Sequence, residues 1–225
     1  VDASAGSDVI SVPINIDGGG PENDGVSVRG APQSVLAESS YEPGPDPSQG
    51  VLEYWGDDAF MQINFQNVDV VQDEVVVTES FHVHATDGDN AINYSSDAGW
   101  GGMGGDPDGG DLEAGDVTSL SDGLMVWGAI SVDGFLRSPL MFKNKPELVI
   151  LGQAGSDTIN LNSEYAPDLL TKITVVGSDP TASEADTVIV NGSTADDTIE
   201  VTLSASDDAS ITGAQPVPVD VWSAE

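Results

Sequence analysis

Residues 150–161 read "ILGQAGSDTINL": an apolar pair, a Gly-rich bend, an Asp, then alternating apolar and polar residues. The small residue Gly155 permits a tight turn at positive φ, Asp157 caps that turn with its side chain, and Ile159 opens a strand with an inward aliphatic. The phrase recurs as "VDASAGSDVISV" at 1–12, "VHATDGDNAINY" at 83–94 and "VNGSTADDTIEV" at 190–201. Its anchors are Gly6, Gly88, Gly155 and Ala195, followed by Asp8, Asn90, Asp157 and Asp197, then by Ile10, Ile92, Ile159 and Ile199. A turn followed by a short strand is the rung of a β-solenoid, in which each rung buries its apolar face on the next. The anchors stand 82, 67 and 40 residues apart, a spacing that fits a coil with large loop insertions rather than a strict short period.

Outside these phrases the same alternation dominates, in "DVISVPINID" (8–17), "GVSVRG" (25–30), "MQINFQNVDVV" (61–71), "EVVVTESFHVHA" (74–85), "ITVVG" (173–177) and "DTVIVNG" (186–192). A period of two marks short strands, and the Gly, Asp, Ser and Pro clusters between them mark turns. The expected fold is all-β, a decorated parallel β-solenoid of β-helix or β-roll type with Gly/Asp-rich loop insertions, plus one short helix near "EYAPDLLT" (164–171). A larger unit over 1–162, carrying an insertion at 97–116, is expected to precede a smaller unit over 163–225 that continues the repeat. The competing architecture is two β-sandwich domains of immunoglobulin type split near residue 163.

Charge narrows the function classes. The chain carries 39 Asp and Glu against 5 Lys and Arg, a net charge of −34, with 39% hydrophobic residues and no cysteine. Five cations cannot neutralise a row of phosphates, so nucleic acid is excluded as a partner, and an anionic membrane surface repels the chain. No apolar run approaches the roughly 20 residues of a membrane span. So much like charge opposes compaction unless cations screen it, which suits an extracellular or cell-surface setting. No nucleophile elbow, P-loop or zinc-protease motif occurs, and acidic pairs are too numerous for a catalytic couple to be singled out, so no enzymatic role is expected.

At Gly152-Gln153-Ala154-Gly155-Ser156-Asp157-Thr158-Ile159-Asn160 the sequence resembles the haemolysin-type (RTX) calcium repeat G-G-x-G-x-D-x-U-x in degenerate form, with Gln153 in place of the second glycine. The resemblance covers four segments of long secreted bacterial surface proteins' repeat type and implies calcium held between successive turns, with Asp8 and Asp157 as ligands. Further oxygen ligands are read from the insertion, Asp106, Asp108, Asp111 and Asp116, while Glu79, Asp87 or Asp89 would be the third ligand to a transition metal held by His82 and His84. Those histidines lie two apart on one strand face, the spacing of paired imidazole ligands.

The two ends of the chain read as complementary, so copies of itself are the expected partner, joined head to tail. Val9, Ile10, Val12, Ile14 and Ile16 would bury against an end comprising Val217, Val219, Val221 and Trp222. The expected function is an extracellular structural repeat protein forming a filament, sheath or surface layer and stabilised by cations. The alternative is an adhesin or carbohydrate-binding module contacting glycans through Tyr54, Trp55 and Trp100. Asn93 and Asn191 stand in N-glycosylation acceptor triplets.

Overall fold

A computed structural model describes residues 12–20, 24–30, 36–46, 48–56, 59–97, 126–134, 139–177, 185–204 and 208–223. The expectations at Asp8, Val9, Ile10, Trp100, Asp106, Asp108, Asp111 and Asp116 lie outside them. The strands are β1 (Ile14–Asp17), β2 (Gly25–Gly30), β3 (Leu36–Pro43), β4 (Gly50–Gly56), β5 (Ala59–Gln66), β6 (Val70–Val75), β7 (Ser80–His84), β8 (Ala91–Asp97), β9 (Trp127–Val132), β10 (Leu140–Phe142), β11 (Glu147–Leu151), β12 (Thr158–Ser163), β13 (Lys172–Val176), β14 (Thr187–Val190), β15 (Glu200–Leu203), β16 (Ala209–Thr212) and β17 (Val219–Trp222).

These strands make two mixed sheets. One has ten strands in the order β1-β5-β4-β3-β7-β11-β13-β17-β16-β15, the other seven in the order β14-β12-β8-β9-β10-β6-β2. The fold is therefore all-β, as the alternation requires. Along β5, for example, Met61, Ile63 and Phe65 are buried while Gln62 and Asn64 face outward. Each such large apolar side chain contributes roughly 1.5–3 kcal/mol by leaving water. One cluster of buried residues runs from Val26 to Val221 and so crosses the expected boundary at 162/163.

The larger sheet is parallel through its middle, whereas the smaller is parallel toward its two ends and antiparallel at its central β8–β9 and β9–β10 pairs. β7, β11, β13 and β17 are parallel neighbours in the larger sheet, and β8, β12 and β14 in the smaller. The chain crosses from larger to smaller sheet at β7→β8, β11→β12 and β13→β14. The register pairs Ile92 with Ile159, the two residues equated by the recurring phrase. The copies at 83–94 and 150–161 thus lie side by side at matching positions.

The copy at 190–201 does not join them. It leaves the smaller sheet after β14 and enters the larger at β15, the opposite crossing. The neighbour of Asp157 is instead Asp186, because Thr158 pairs with Thr187.

Two further expectations are corrected. Residues 164–171 form a turn, closed by the Leu170 N–H donating to the Pro167 carbonyl at 2.9 Å, with Leu169 at φ 69°. Proline and a left-handed residue two positions later suit a β-turn and interrupt a helix. The C-terminal strand β17 is not a sheet edge: β13 flanks it on one side and β16 on the other. Residues 200–212 fold back as the β15–β16 hairpin, so Val217, Val219 and Val221 are buried in the chain's own core.

Candidate functional site

The crossings concentrate carboxylates along one edge. The residue just before each strand of the smaller sheet that follows a crossing is Asp24, Asp69, Asn90, Asp157 or Asp186. The N–H just before a strand lies outside the ladder, and here the side chain leading into the neighbouring strand accepts it. Asp157 Oδ1 accepts the Asn90 N–H at 2.8 Å, Asp186 Oδ1 accepts the Asp157 N–H at 2.9 Å, and Asp69 Oδ2 accepts the Asp24 N–H at 3.2 Å. Asp133, just past β9, closes the row by accepting from the Ala91 N–H at 2.6 Å and from the Asn90 side-chain amide.

Sequence comparison of phrases identified Asn90 and Asp157 but passed over Asp186. The signal was present: Asp157-Thr158-Ile159 and Asp186-Thr187-Val188 share Asp-Thr-aliphatic, yet Asp186 lacks the preceding Gly-x-Asp bend used as the anchor. Gln153, at the position where the resemblance calls for a second glycine, has φ 74° and hydrogen-bonds His84 Nδ1 through its side-chain amide at 2.9 Å. The departure from the repeat thus keeps the left-handed backbone and adds a side-chain tie.

Asp157 is the strained member of the row. It is 1% exposed, and its Oδ2 has no hydrogen-bond partner. A Cβ at Gly152 would stand 2.7 Å from that oxygen, so the glycine makes the room it occupies. Burial, and then the charges of Asp186, Asp89 and Asp133, push its pKa up from 3.8 to about 6 against the Asn90 hydrogen bond, which pulls it down. The folded chain therefore holds this proton more tightly than the unfolded chain. Between pH 3.8 and about 6 the native state binds the extra proton, so this group's contribution falls as pH rises through that window and its penalty is complete above it. Asp157→Asn, which copies Asn90 one rung away, is expected to raise stability at pH 7 by about 1–2 kcal/mol and to leave it nearly unchanged at pH 4. Denaturant titrations at the two pH values check this, and an equal effect at both refutes the assignment.

Of the expected metal ligands, Asp87, Asp89 and Asp157 lie among the described residues. Asp87 and Asp89 are exposed, and Asp89 Oδ1 is used in accepting the Ser156 N–H at 2.9 Å. Among the described residues no group of three or more His, Asp or Glu side chains is arranged to hold a metal ion. Calcium takes 6 to 8 oxygens, and one oxygen each of Asp157 and Asp89 accepts a backbone N–H. What the row offers a cation is the free Oδ2 of Asp157 amid like charges.

A second feature lies on the outer face of the larger sheet. Trp55, Glu38, Ser40, His82 and His84 line an open depression of about 390 Å³. The β3–β4 register sets Trp55 opposite Glu38, and the β3–β7 register sets Ser40 beside His82. Phe60, 41% exposed, packs on Trp55 with ring centroids 6.2 Å apart. Ser80 Oγ ties His82 Nε2 at 2.8 Å, and burial lowers the His84 pKa, so the neutral imidazole is favoured there. Tyr54 is corrected: it alternates with Trp55, points into the core and is wholly buried, so it is no glycan contact.

Asn93 and Asn191 fall on either side of Asn160 in a ladder of amides across the smaller sheet. The Asn191 amide donates to Asn160 Oδ1 at 2.7 Å and to the Leu161 carbonyl at 3.1 Å, which engages the nitrogen that glycosylation modifies. Asn160 in turn donates to Asn93 Oδ1 at 3.4 Å. The described cations are all ion-paired: Arg29 and Lys143 with Glu74, Lys145 with Asp73, and Lys172 with Glu147 and Asp220.

Of the expected interface residues, Val12 is exposed, Ile14 and Ile16 are partly buried against the core, and Trp222 is exposed beneath the Lys172 ammonium, 5.5 Å from its ring. The edge of the larger sheet opposite β1 is β15, whose row Ile199, Val201 and Leu203 is 51%, 57% and 77% exposed. The chain matches no protein-family model, no curated protein and no solved structure.

Proposed function

We propose that this chain is an extracellular structural module, a decorated β-solenoid whose copies join head to tail into a filament, sheath or surface layer. The observation that carries the reading is that the larger sheet ends, among the described residues, in two edge strands, β1 and β15, each paired on one side only. Following the pairings across the sheet, β1 and β15 point the same way. A β1 edge can therefore meet the β15 edge of a second copy in the parallel sense that rules the middle of the sheet. Such a contact joins unlike surfaces and extends without closing.

β15 has no lysine or proline to block pairing and leaves an apolar row uncovered, the features that soluble sheets usually avoid at an edge. The parallel rungs and the side-by-side phrases support the solenoid reading. An uncapped rung stack exposes its core at the end, which a neighbour covers. At a net charge of −34 two copies repel, so the proposal gives cations, calcium among them, the task of screening the carboxylates.

The test is light scattering and electron microscopy of the native protein with millimolar calcium, after chelation, and in sodium chloride of matched ionic strength. Regular filaments or sheets are expected with calcium, lost in a Val201→Lys/Leu203→Lys variant that remains folded. A monodisperse monomer in every condition overturns the reading. Equal assembly in matched sodium chloride assigns calcium a screening role without a seat.

The Trp55 depression favours a second reading, a glycan-binding surface module. Trp55, tilted against Phe60, is flanked in the depression by Glu38, Ser40 and His82, an aromatic face with polar neighbours of the kind that holds a sugar ring. Glycan-array binding that Trp55→Ala abolishes supports it.

A further inference from the structure

Asp73 on β6 and Lys145, two residues ahead of β11, meet between the two sheets. Lys145 Nζ lies 2.9 Å from Asp73 Oδ2, and both side chains are 0% exposed. The ammonium also donates to the Val75 carbonyl at 2.8 Å and sits 5.5 Å from the ring centroids of Tyr54 and Phe81. Asp73 Oδ1 accepts the Val75 N–H at 3.0 Å, which fixes the plane of the carboxyl group. An amine and a carboxyl group are thus held in contact, oriented and shut off from bulk water, in a wall of aromatic rings.

Charge separation is costly in such a place, and moving one proton along the Nζ···Oδ2 contact converts the ion pair into a neutral amine and a neutral acid. Burial favours that state by pulling the Lys145 pKa down, against the pull of Asp73. The neutral amine is a nucleophile, and the neutral acid is an acyl group that it can attack.

We infer that Lys145 and Asp73 condense into an intramolecular amide cross-link between the β6 strand and the segment leading into β11. Nζ attacks Cγ, the Cγ–Oδ2 bond breaks, one Nζ proton leaves with that oxygen, and one water is released; no oxidant or cofactor enters the balance. The rings of Tyr54 and Phe81, both wholly buried, form the apolar wall around Nζ that keeps water from the pair. Contact orientation and water exclusion supply the remainder, since a pre-aligned pair reacts at a high effective molarity and the product is shielded from hydrolysis. This inference does not depend on how copies assemble.

The experiment is intact-mass spectrometry of the folded protein, then peptide mapping after denaturation. The expected mass is one water, about 18 Da, below that of the sequence, with a branched peptide joining the Lys145 and Asp73 segments. Lys145→Arg is expected to keep the full mass, and Asp73→Asn to lose ammonia, about 17 Da, in place of water. The full sequence mass in a folded wild-type protein overturns the inference. So does a water loss that persists in Lys145→Arg, or one that maps to a succinimide at an Asp–Gly step such as Asp24-Gly25.

Discussion

Lys145→Met is expected to destabilise the chain by about 3–5 kcal/mol at pH 7, because it strands the Asp73 carboxylate in an interior with no other described cation paired to it. Methionine replaces most of the stem's volume, so the loss reports the stranded charge and the missing bond to the Val75 carbonyl rather than a cavity. Adding Asp73→Asn removes the charge while keeping an acceptor for the Val75 N–H, and the double variant is expected to recover the part due to the stranded charge. Whatever it does not recover measures the additional tie between the two segments. Denaturant titration of the single and double variants decides the matter, and a loss under about 1 kcal/mol for Lys145→Met refutes the account of a charge held in a dry core.

Gly155→Ala is the other large effect, expected to cost about 2–3 kcal/mol. Gly155 has φ 115°, and a Cβ there would stand 2.7 Å from the backbone carbon of Gly88. The φ belongs to the turn itself, and the close approach arises because the bend before β12 rests on the bend before β8, held there by the Asn90 to Asp157 hydrogen bond. The control is Gly88→Ala, whose added methyl meets only the Thr86 hydroxyl, at 3.8 Å, and which is expected to cost under about 1 kcal/mol. Equal costs at the two positions rule out the stacked arrangement as the cause.

The anchor phrase was the most informative local feature. The spacing of 67 between Gly88 and Gly155 is also the register between β8 and β12, in which Ile92 pairs with Ile159. The phrase at 190–201 failed because a turn's local chemistry does not say which edge of a stack it occupies. Ser193 Oγ donates to Asp197 Oδ1 there at 2.8 Å, so this turn is closed by its own side chains. Trp55 and Tyr54 were separable in principle, since Tyr54 shares the strand parity of Leu52 and both are wholly buried, while Trp55 faces outward. The depression it lines was not legible, because Glu38, His82 and His84 come from other strands. The Asp73–Lys145 pair was hidden for the same reason: 72 residues separate the partners, and either Lys in "FKNKPE" looks like any surface cation.

The sequence alone determined the all-β class, the alternation that assigns Ile63 inward and Asn64 outward, and the crossing bends at 85–90 and 152–157. These are properties of a period of two and of small residues at tight turns, and they act within a few residues of chain. Tertiary structure alone decided that β15 and not β17 is the sheet edge, that Asp186 follows Asp157 in the acidic row, and that Lys145 is buried against Asp73. Each of those depends on which strands become neighbours. That choice is made by the apolar area the described strands bury together and by hydrogen bonds between residues far apart in the chain, which no local pattern encodes.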